Sequence, residues 1–467
     1  MSPQPHPSPA HASSPPSVLP TSFPGYLLLA GTQRLRGSKS LKILSEIASA
    51  PYMSAEEVRR HQLRRLSALL AHAVARVPYY RELFRSLGVT SRDITTLDDF
   101  ARLPVLTKDI VRDRWRDLVR DDVPLETLSP HFSGGSTGVP LKFYRDRAYM
   151  DASDAGDCRN YMQAGWRPGE MIAFFWGSNE RLLRMSRAEF ELRQWARRKY
   201  QFDPFHSGPA EMERWLQRWP SLRASIAQGY ASTVARFAEF VEGSGRRVAP
   251  LKGVFTTAER LYPPQRAIIE RVFGCRVFDC YGSSEVQNIA AECRLGRMHV
   301  NADFVVLEID QPAPAAPAGT ARPLLLTSLW NYAMPFIRYR NEDCAGLLDE
   351  RCGCGNNFPL MTLDVARVSD NFRMPDGRVV HGEFFTHLMY GSEGIRNFQF
   401  HQTDPDRIVL YYVPGPGDSA ARSRALDAAR TQIQALTTAP VRVELQPCDE
   451  IPLSSAGKHR FTKSDVR

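Results

Sequence analysis

No stretch of this chain is apolar for long enough to cross a bilayer, which takes about 18 consecutive apolar residues, and the sequence offers nothing close to that. The run GYLLLAG at residues 25–31 is too short, and sits too far in, to be the core of a secretion signal. The chain therefore reads as cytosolic, with no membrane partner. Cysteine is sparse, eight in 467 residues, and in a reducing compartment any clustered pair is a candidate for metal binding or catalysis before it is a candidate disulfide. The net charge of +9 is not gathered into a basic block. Its densest run, RRHQLRR (59–65), runs alongside Leu63, Leu66, Leu70, Ala73 and Val77 at helical spacing, so these arginines are the solvated side of an amphipathic helix, not a nucleic-acid stripe. Also missing is the nucleoside-triphosphate loop G-x-x-x-x-G-K-[ST]: the stretch HFSGGSTGVPLKFY (131–144) is rich in glycine, but no Lys-Ser or Lys-Thr follows Gly138.

What is present fits a large folded protein. A hydrophobic content of 43% with 10% aromatics fills substantial cores over a length suited to two or three domains. Residues 1–24 hold eight prolines among Ser, His and Ala and read as a disordered tail. Helical periodicity dominates from about Leu41 to Val89. Further on, SIAQGYAS (225–232), GVFTTAER (253–260) and RVFDCYGSSE (276–285) are short apolar runs that each end in small or polar residues and lead into helical sequence. Strand, loop and helix repeating at about 25 residues is the pattern of a parallel sheet wrapped by helices. Ligands bind outside the carboxyl ends of such strands, where Gly229, Tyr230, Thr256, Thr257, Tyr281 and Gly282 fall. The proline-rich QPAPAAPAG (311–319) reads as a hairpin excursion within strand sequence. Beyond Arg367 short strands surround single helices, as in DRIVLYYV (406–413) followed by a helix over about Ser419–Leu436. The expected fold is α/β: a large N-terminal domain over 25–366 with parallel-rich sheets wrapped by helices, then a small α+β domain over 367–467.

Five segments, in order, resemble one family. SGGSTGVPL (133–141) is similar to the Ser/Thr/Gly phosphate loop of the adenylate-forming ligases, the acyl-CoA synthetase and adenylation-domain superfamily. YGSSE (281–285) resembles their Tyr-Gly-x-Thr-Glu element, and PFIRYRNEDCAGL (335–347) their segment ending Arg-Tyr-x-x-x-Asp. VARVSDNFRMPDGRVV (365–380) resembles their hinge, and IPLSSAGKHR (451–460) their terminal lysine motif. The branch that these motifs most resemble is that of the phenylacetate–coenzyme A ligases and capsular-polysaccharide (CapK-like) proteins, over roughly Val77 to the C-terminus.

The resemblance implies an enzyme that uses ATP and Mg²⁺ to convert a carboxylic acid to an acyl- or aryl-adenylate and then passes the acyl group to coenzyme A. An amine or a carrier-protein thiol is an alternative acceptor, and a nucleotide-binding protein without turnover is a third reading. By the same resemblance Ser133, Gly134, Gly135, Ser136, Thr137 and Gly138 cradle phosphates, and Ala258, Glu259, Arg260, Tyr281, Gly282, Ser283 and Ser284 line the nucleotide pocket. Asp343 accepts from the ribose hydroxyls, with Glu342 as a competing assignment because Asn341-Glu342-Asp343 replaces the usual Thr-Gly-Asp. Glu285 binds Mg²⁺, a hard cation suited to carboxylate and phosphate oxygens; its alternative reading is a helix N-terminal carboxylate. Arg367 reaches ribose or phosphate from a hinge at Ser369 or Asp370, about which the small domain is mobile, and Lys458 carries the charge that bridges carboxylate and α-phosphate. Trp176, Phe205, His206, Tyr230 and Phe255 are candidates for the acyl pocket, and their aromatic bias favours an aryl or otherwise apolar acid. Finally, Cys293, His299, Cys352 and Cys354 are four N/S ligands of the kind that hold a structural Zn²⁺, and similar sets occur in the resembling branch.

Overall fold

The computed structural model describes residues 23–132, 141–176, 185–204, 209–310, 322–362, 372–376, 379–380, 385, 388–389, 392–437, 439–452 and 460–466. Helix α1 (Phe23–Leu35) opens with Pro24 in its first turn, where a missing N–H costs nothing, so helix begins two residues before the composition suggested. Helix α2 (Ser40–Ile47) buries Leu44 and Ile47. Helix α3 (Ala55–Arg76) is started by a capping box: the Ser54 hydroxyl accepts from Glu57 N at 3.3 Å, and the Glu57 carboxylate accepts from Ser54 N at 2.8 Å. Pro78 then forces a break and a new start, and Gly88 at φ 66° ends helix α4 (Pro78–Leu87). Arg59, Arg60 and Arg64 of α3 face solvent as expected, but Arg65 is half-buried over the Trp330 ring, 3.6 Å from its centroid; Leu66, Leu69, Leu70 and Ala73 are buried.

A short antiparallel hairpin, β1 (Ser129–Phe132) and β2 (Lys142–Arg145), flanks residues 133–140. Asp146 caps helix α5 (Arg147–Met162) by accepting from Tyr149 N at 2.8 Å. The main sheet follows. Strands β3 (Ile172–Phe175), β4 (Lys199–Phe202), β5 (Ile226–Tyr230), β6 (Gly253–Thr257) and β7 (Val277–Tyr281) are parallel, in the order β4-β3-β5-β6-β7. Helices α6 (Arg187–Arg197), α7 (Pro209–Leu222), α8 (Ala231–Gly243) and α9 (Pro263–Phe273) connect them. One face carries Phe175, Phe202, Trp215, Trp219, Phe237 and Phe273 as a single aromatic-rich core, and the other packs Phe255 and Phe278 against Tyr161 of α5. Gly229 is fixed by close approach: a Cβ there would sit 2.5 Å from the Phe175 Cβ and 2.6 Å from its carbonyl oxygen.

The sequence pattern fails after β7. Helix was expected after YGSSE; instead the chain turns at Gly282–Ile289 and returns antiparallel as β8 (Ala290–Glu292) and β9 (Met298–Val300). The turn is internal: Val286 and Ile289 are fully buried, and Asn288 takes a left-handed φ of 55° that Asn tolerates, its side chain bonded to Ser153 of α5. Buried hydrophobics spaced by three mimic helical periodicity here. Beyond β9 the sheet stays antiparallel through β10 (Val305–Ile309), β11 (Arg322–Ser328), β12 (Tyr339–Leu348) and β13 (Leu360–Thr362). Strands β10 and β11, on either side of residues 311–321, pair directly as a hairpin. The C-terminal part forms its own sheet, β16-β15-β14-β17, from β14 (Ile395–Asp404), β15 (Arg407–Pro414), β16 (Arg442–Pro447) and β17 (Thr462–Ser464), on which helix α10 (Ser419–Gln434) packs. Tyr262 meets Phe461 edge-to-face, centroids 5.0 Å apart, where this part touches the large one.

Candidate functional site

The carboxyl ends of β5, β6 and β7 open toward β12, and there the separated candidates meet. Tyr281, the last residue of β7, donates its hydroxyl to Asp343 Oδ2 at 2.8 Å. Asn341 Nδ2 donates to that same hydroxyl at 3.0 Å and to Asp343 Oδ2 at 2.9 Å, while Asp343 N donates to Asn341 Oδ1 at 3.2 Å. Tyr339, two residues earlier, donates to Glu285 Oε1 at 3.2 Å. Tyr339, Asn341 and Asp343 are spaced by two, as a strand presents residues on one face. Of the two acidic candidates at 342–343, Asp343 is therefore the one tied into this network; the side chain of Glu342 lies outside the described residues.

Glu285 and Asp343 are both about 6% exposed. Burying carboxylates is costly unless they are bonded or paired, so each is met by a phenol and Glu285 also feels a nearby guanidinium, that of Arg145. Glu285 stands in a turn closed by Ser283 N donating to Val286 O at 2.8 Å, not at a helix start, so the helix-terminal reading falls away. Arg145 donates to the carbonyl of Ser284 and Tyr149 accepts from Gln287 N at 3.0 Å, fixing that turn from β2 and α5.

At the end of β6, Ala258 adopts φ 69°, a conformation that L side chains rarely take and that folds retain mainly at sites. Glu259 accepts from Ser232 N at 2.9 Å, capping the N-terminus of α8. The Arg260 guanidinium lies 5.9 Å from the Tyr262 ring centroid. Of the acyl-pocket candidates, Trp176 and Tyr230 stack with centroids 4.5 Å apart at the strand ends. Phe255 is instead buried in the packed layer under α5, stacked on Phe278. Phe205 and His206 lie outside the described residues, as do Ser133, Gly134, Gly135, Ser136, Thr137, Gly138, Arg367, Ser369, Asp370 and Lys458. Sequence reasoning missed Arg145, Tyr149, Tyr339 and Asn341. The period of two in RYRNED would have pointed to Tyr339 and Asn341 once Asp343 was chosen; Arg145 gave no local signal.

A second cluster lies at the far end of the antiparallel strands. Cys293 follows β8, His299 is in β9, and Cys352 and Cys354 sit in the turn between β12 and β13; their ligand atoms all lie within 4.8 Å of one another. The pairing of His299 with Leu360 in β13 brings the two halves together. Cys293 Sγ and Cys352 Sγ are 3.8 Å apart, and Cys354 Sγ is 3.4 Å from His299 Nε2. A tetrahedron with Zn–S bonds of about 2.3 Å has S···S edges of about 3.8 Å, so the set already has the size of a zinc site. His299 Nδ1 lies 2.9 Å from the Phe358 carbonyl, a contact that fixes the tautomer with Nε2 turned to the cluster. Leu295 N and Asn356 N donate to the sulfurs of Cys293 and Cys354 at 3.4 and 3.3 Å. The hydrogen bond from Cys354 holds the Cys293 thiol far below its ordinary range and pushes Cys354 up, so one thiolate is favoured within the set.

No protein-family model matches the chain. The phenylacetate–coenzyme A ligase of Pseudomonas putida is 28% identical over 305 residues, 63% of this chain and 68% of that protein. Protein CapK of Staphylococcus aureus is 20% identical over 396 residues, 83% of this chain and 85% of its own length. A 2-hydroxyisobutyryl-CoA ligase solved in its postadenylation state superimposes with a TM-score of 0.72 at 20% identity, covering 90% of this chain and 92% of that one. The chain has the adenylate-forming ligase fold. The same ligase solved in its thioesterification state superimposes with a TM-score of 0.58. No helix among the described residues is long and apolar enough to cross a membrane.

Proposed function

We propose that the protein is an ATP-dependent carboxylate-activating ligase that forms an acyl- or aryl-adenylate with release of pyrophosphate and then transfers the acyl group to the thiol of coenzyme A, releasing AMP. The observation that carries this reading is the Tyr281–Asn341–Asp343 network beside Tyr339–Glu285 at the carboxyl ends of the parallel strands, within a fold shared with acyl-CoA ligases. The network offers a carboxylate for paired hydroxyls, as on a ribose, with an aromatic ring next to it. Glu285 adds a hard oxygen ligand, so Mg²⁺ would be held there; when bound it screens phosphate charge. Carboxylate attack on the α-phosphorus brings two anions together, and the proposed roles of Lys458 and Arg367 are to offset that charge. Gly134–Gly138 would hold the departing phosphates. The Cys293–His299–Cys352–Cys354 set fits Zn²⁺ as a structural staple between the β8–β9 turn and the β12–β13 turn, remote in role from the chemistry.

Coenzyme A is the favoured acceptor because the phenylacetate–coenzyme A ligases are among the relatives. The CapK likeness over a larger share of the chain keeps an amine or a carrier thiol as the second reading. Pyrophosphate exchange measured against a panel of aryl and aliphatic acids tests adenylation: acid-dependent exchange is expected, and none with any acid would refute the ligase. Mass spectrometry of products formed with CoA or with amines then separates the two acceptors.

A further inference from the structure

The face of the β1–β2 hairpin turned toward Glu285 carries two polar atoms, Arg145 Nε and His131 Nε2, that the contacts described above do not use. In the hairpin register His131 lies opposite Phe143, and Ser129 opposite Arg145. Directly opposed residues share a face of the pair, so His131, Phe143 and Arg145 form one row. The His131 ring stacks on Phe143 at 5.8 Å between centroids, and the Arg145 guanidinium carbon lies 5.2 Å from the same ring and 5.5 Å from that of Tyr149. Arg145 is 7% exposed.

A guanidinium in such surroundings should have all its donors engaged. Arg145 gives Nη2 to the Ser284 carbonyl, yet its Nε, fully buried, has no hydrogen-bond partner among the described residues. His131 Nε2, on the same row, is likewise buried and without a partner. Burial, with Arg145 close by, lowers the His131 pKa to about 4, so this imidazole is neutral at physiological pH and adds a hydrogen-bonding group without a second charge. Desolvation also lowers the Arg145 pKa, opposed by Tyr149 and Glu285. No ion pair with Arg145 is formed among the described residues; the acidic group it senses is Glu285, the candidate metal ligand next to the carbonyl it holds. A residue needed only to brace the turn would be served by the Nη2 contact. A buried cation with an uncommitted N–H, in the same row as an uncommitted imidazole nitrogen, is the construction of an anion contact.

We propose that Arg145 and His131 form a phosphate-binding site on this hairpin face, Arg145 donating from Nε to a phosphoryl oxygen while its Nη2 keeps the Ser284–Glu285 turn in place. The existence of the site rests on these contacts; that the phosphate belongs to a nucleotide rests on the ligase reading above. The bound anion would complete the charge balance of a buried guanidinium whose neighbour Glu285 is reserved for a cation.

The test is calorimetric titration of the full chain with inorganic phosphate, inorganic pyrophosphate and Mg²⁺–ATP, comparing wild type with Arg145→Gln, Arg145→Lys and His131→Gln, each checked by thermal melting. Arg145→Gln is expected to weaken pyrophosphate and ATP binding about tenfold or more, as loss of a charge-assisted bond should, with His131→Gln a few-fold weaker and Arg145→Lys between wild type and Arg145→Gln. Tighter ATP than pyrophosphate binding in wild type, both sensitive to Arg145, identifies the nucleotide as the source of the phosphate, whereas equal response of free phosphate identifies a simple anion site. Affinities of Arg145→Gln within twofold of wild type overturn the proposal, as does a wild type that binds none of the three. Should Arg145→Gln not fold, unchanged pyrophosphate affinity in both Arg145→Lys and His131→Gln overturns it instead. A wild type that binds pyrophosphate through Arg145 but catalyses no acid-dependent exchange refutes the ligase reading and leaves this site standing.

Discussion

Glu285 shows how much one residue depends on a partner far away in sequence. Its carboxylate is buried in a turn that residues from β2, α5 and β12 hold, and Tyr339 is the phenol that meets it. Glu285→Gln keeps the acceptor that Tyr339 uses and removes only the charge, so the fold should survive while adenylation falls by about two orders of magnitude, the scale for losing one positioned electrostatic group. The decisive readout is the Mg²⁺ dependence of pyrophosphate exchange, which should shift to higher Mg²⁺; an unchanged dependence would place the metal elsewhere. The thiol cluster makes a second residue-scale prediction. Protein purified without chelator should carry close to one Zn²⁺ per chain, and Cys352→Ser should lose it and melt several degrees lower, because metal-binding free energy at a structural site is folding free energy. Elemental analysis that finds no stoichiometric metal in wild type would end that assignment.

At the scale of elements, the parallel strands carry a polar group where aliphatic packing is the rule. Asp279, in the middle of β7, accepts from Thr256 Oγ1 at 2.9 Å, and its N–H is taken by Glu292, which Arg266 pairs at 2.7 and 2.8 Å. Burial, reinforced by the Glu292 charge, raises its pKa to about 7 against the smaller pull of Thr256 and Arg266. The folded protein then holds a proton that the unfolded chain releases at its ordinary carboxylate pKa. Stability from this group is therefore full below about pH 4, declines as pH rises from about 4 to about 7, and is flat above. Asp279→Asn keeps the oxygen that Thr256 needs and cannot ionise, so it should be more stable than wild type by about 1–2 kcal/mol at pH 8 and about equal at pH 4. Urea unfolding at pH 4, 6 and 8 checks this, and a mutant with the wild-type pH slope rules it out. The same strands mark where pattern reading works: β5, β6 and β7 are short, largely buried runs of strand length between turn residues, as strands covered on both faces are, with Gln228, Thr256 and Asp279 as the polar residues inside them. Gln287–Ile289 was misread because a buried turn and a buried helix start both place apolar residues three apart.

At the scale of the whole molecule, the C-terminal sheet and the large N-terminal part meet at the Tyr262–Phe461 ring pair, centroids 5.0 Å apart. A rotation of one part against the other would break this contact. If the C-terminal unit carries Lys458 to the adenylation site and away again, Lys458→Ala should slow adenylate formation by about two orders of magnitude and barely affect acyl transfer from supplied acyl-adenylate. Single-turnover assays of each half-reaction decide the matter. Equal loss in both would assign Lys458 to the fold or to the acceptor site.

The sequence by itself determined what depends on local chemistry. Prolines and capping residues set the breaks between α2, α3 and α4, apolar runs of strand length set β5 to β7, and five short motifs in order set the family resemblance. It also supplied the cysteines and histidine of the cluster, because soft ligands are few enough to be noticed. Tertiary structure alone decided which of those residues meet. Tyr281 and Asp343 are 62 positions apart and share one hydrogen bond only because the fold sets the carboxyl end of β7 beside the first half of β12. Arg145, in a four-residue strand with nothing local to mark it, reaches Ser284 across 139 positions. Local sequence fixes which backbone conformations are cheap, but contacts between distant positions become favourable only when the burial of a shared core offsets the entropy of closing the long loops between them.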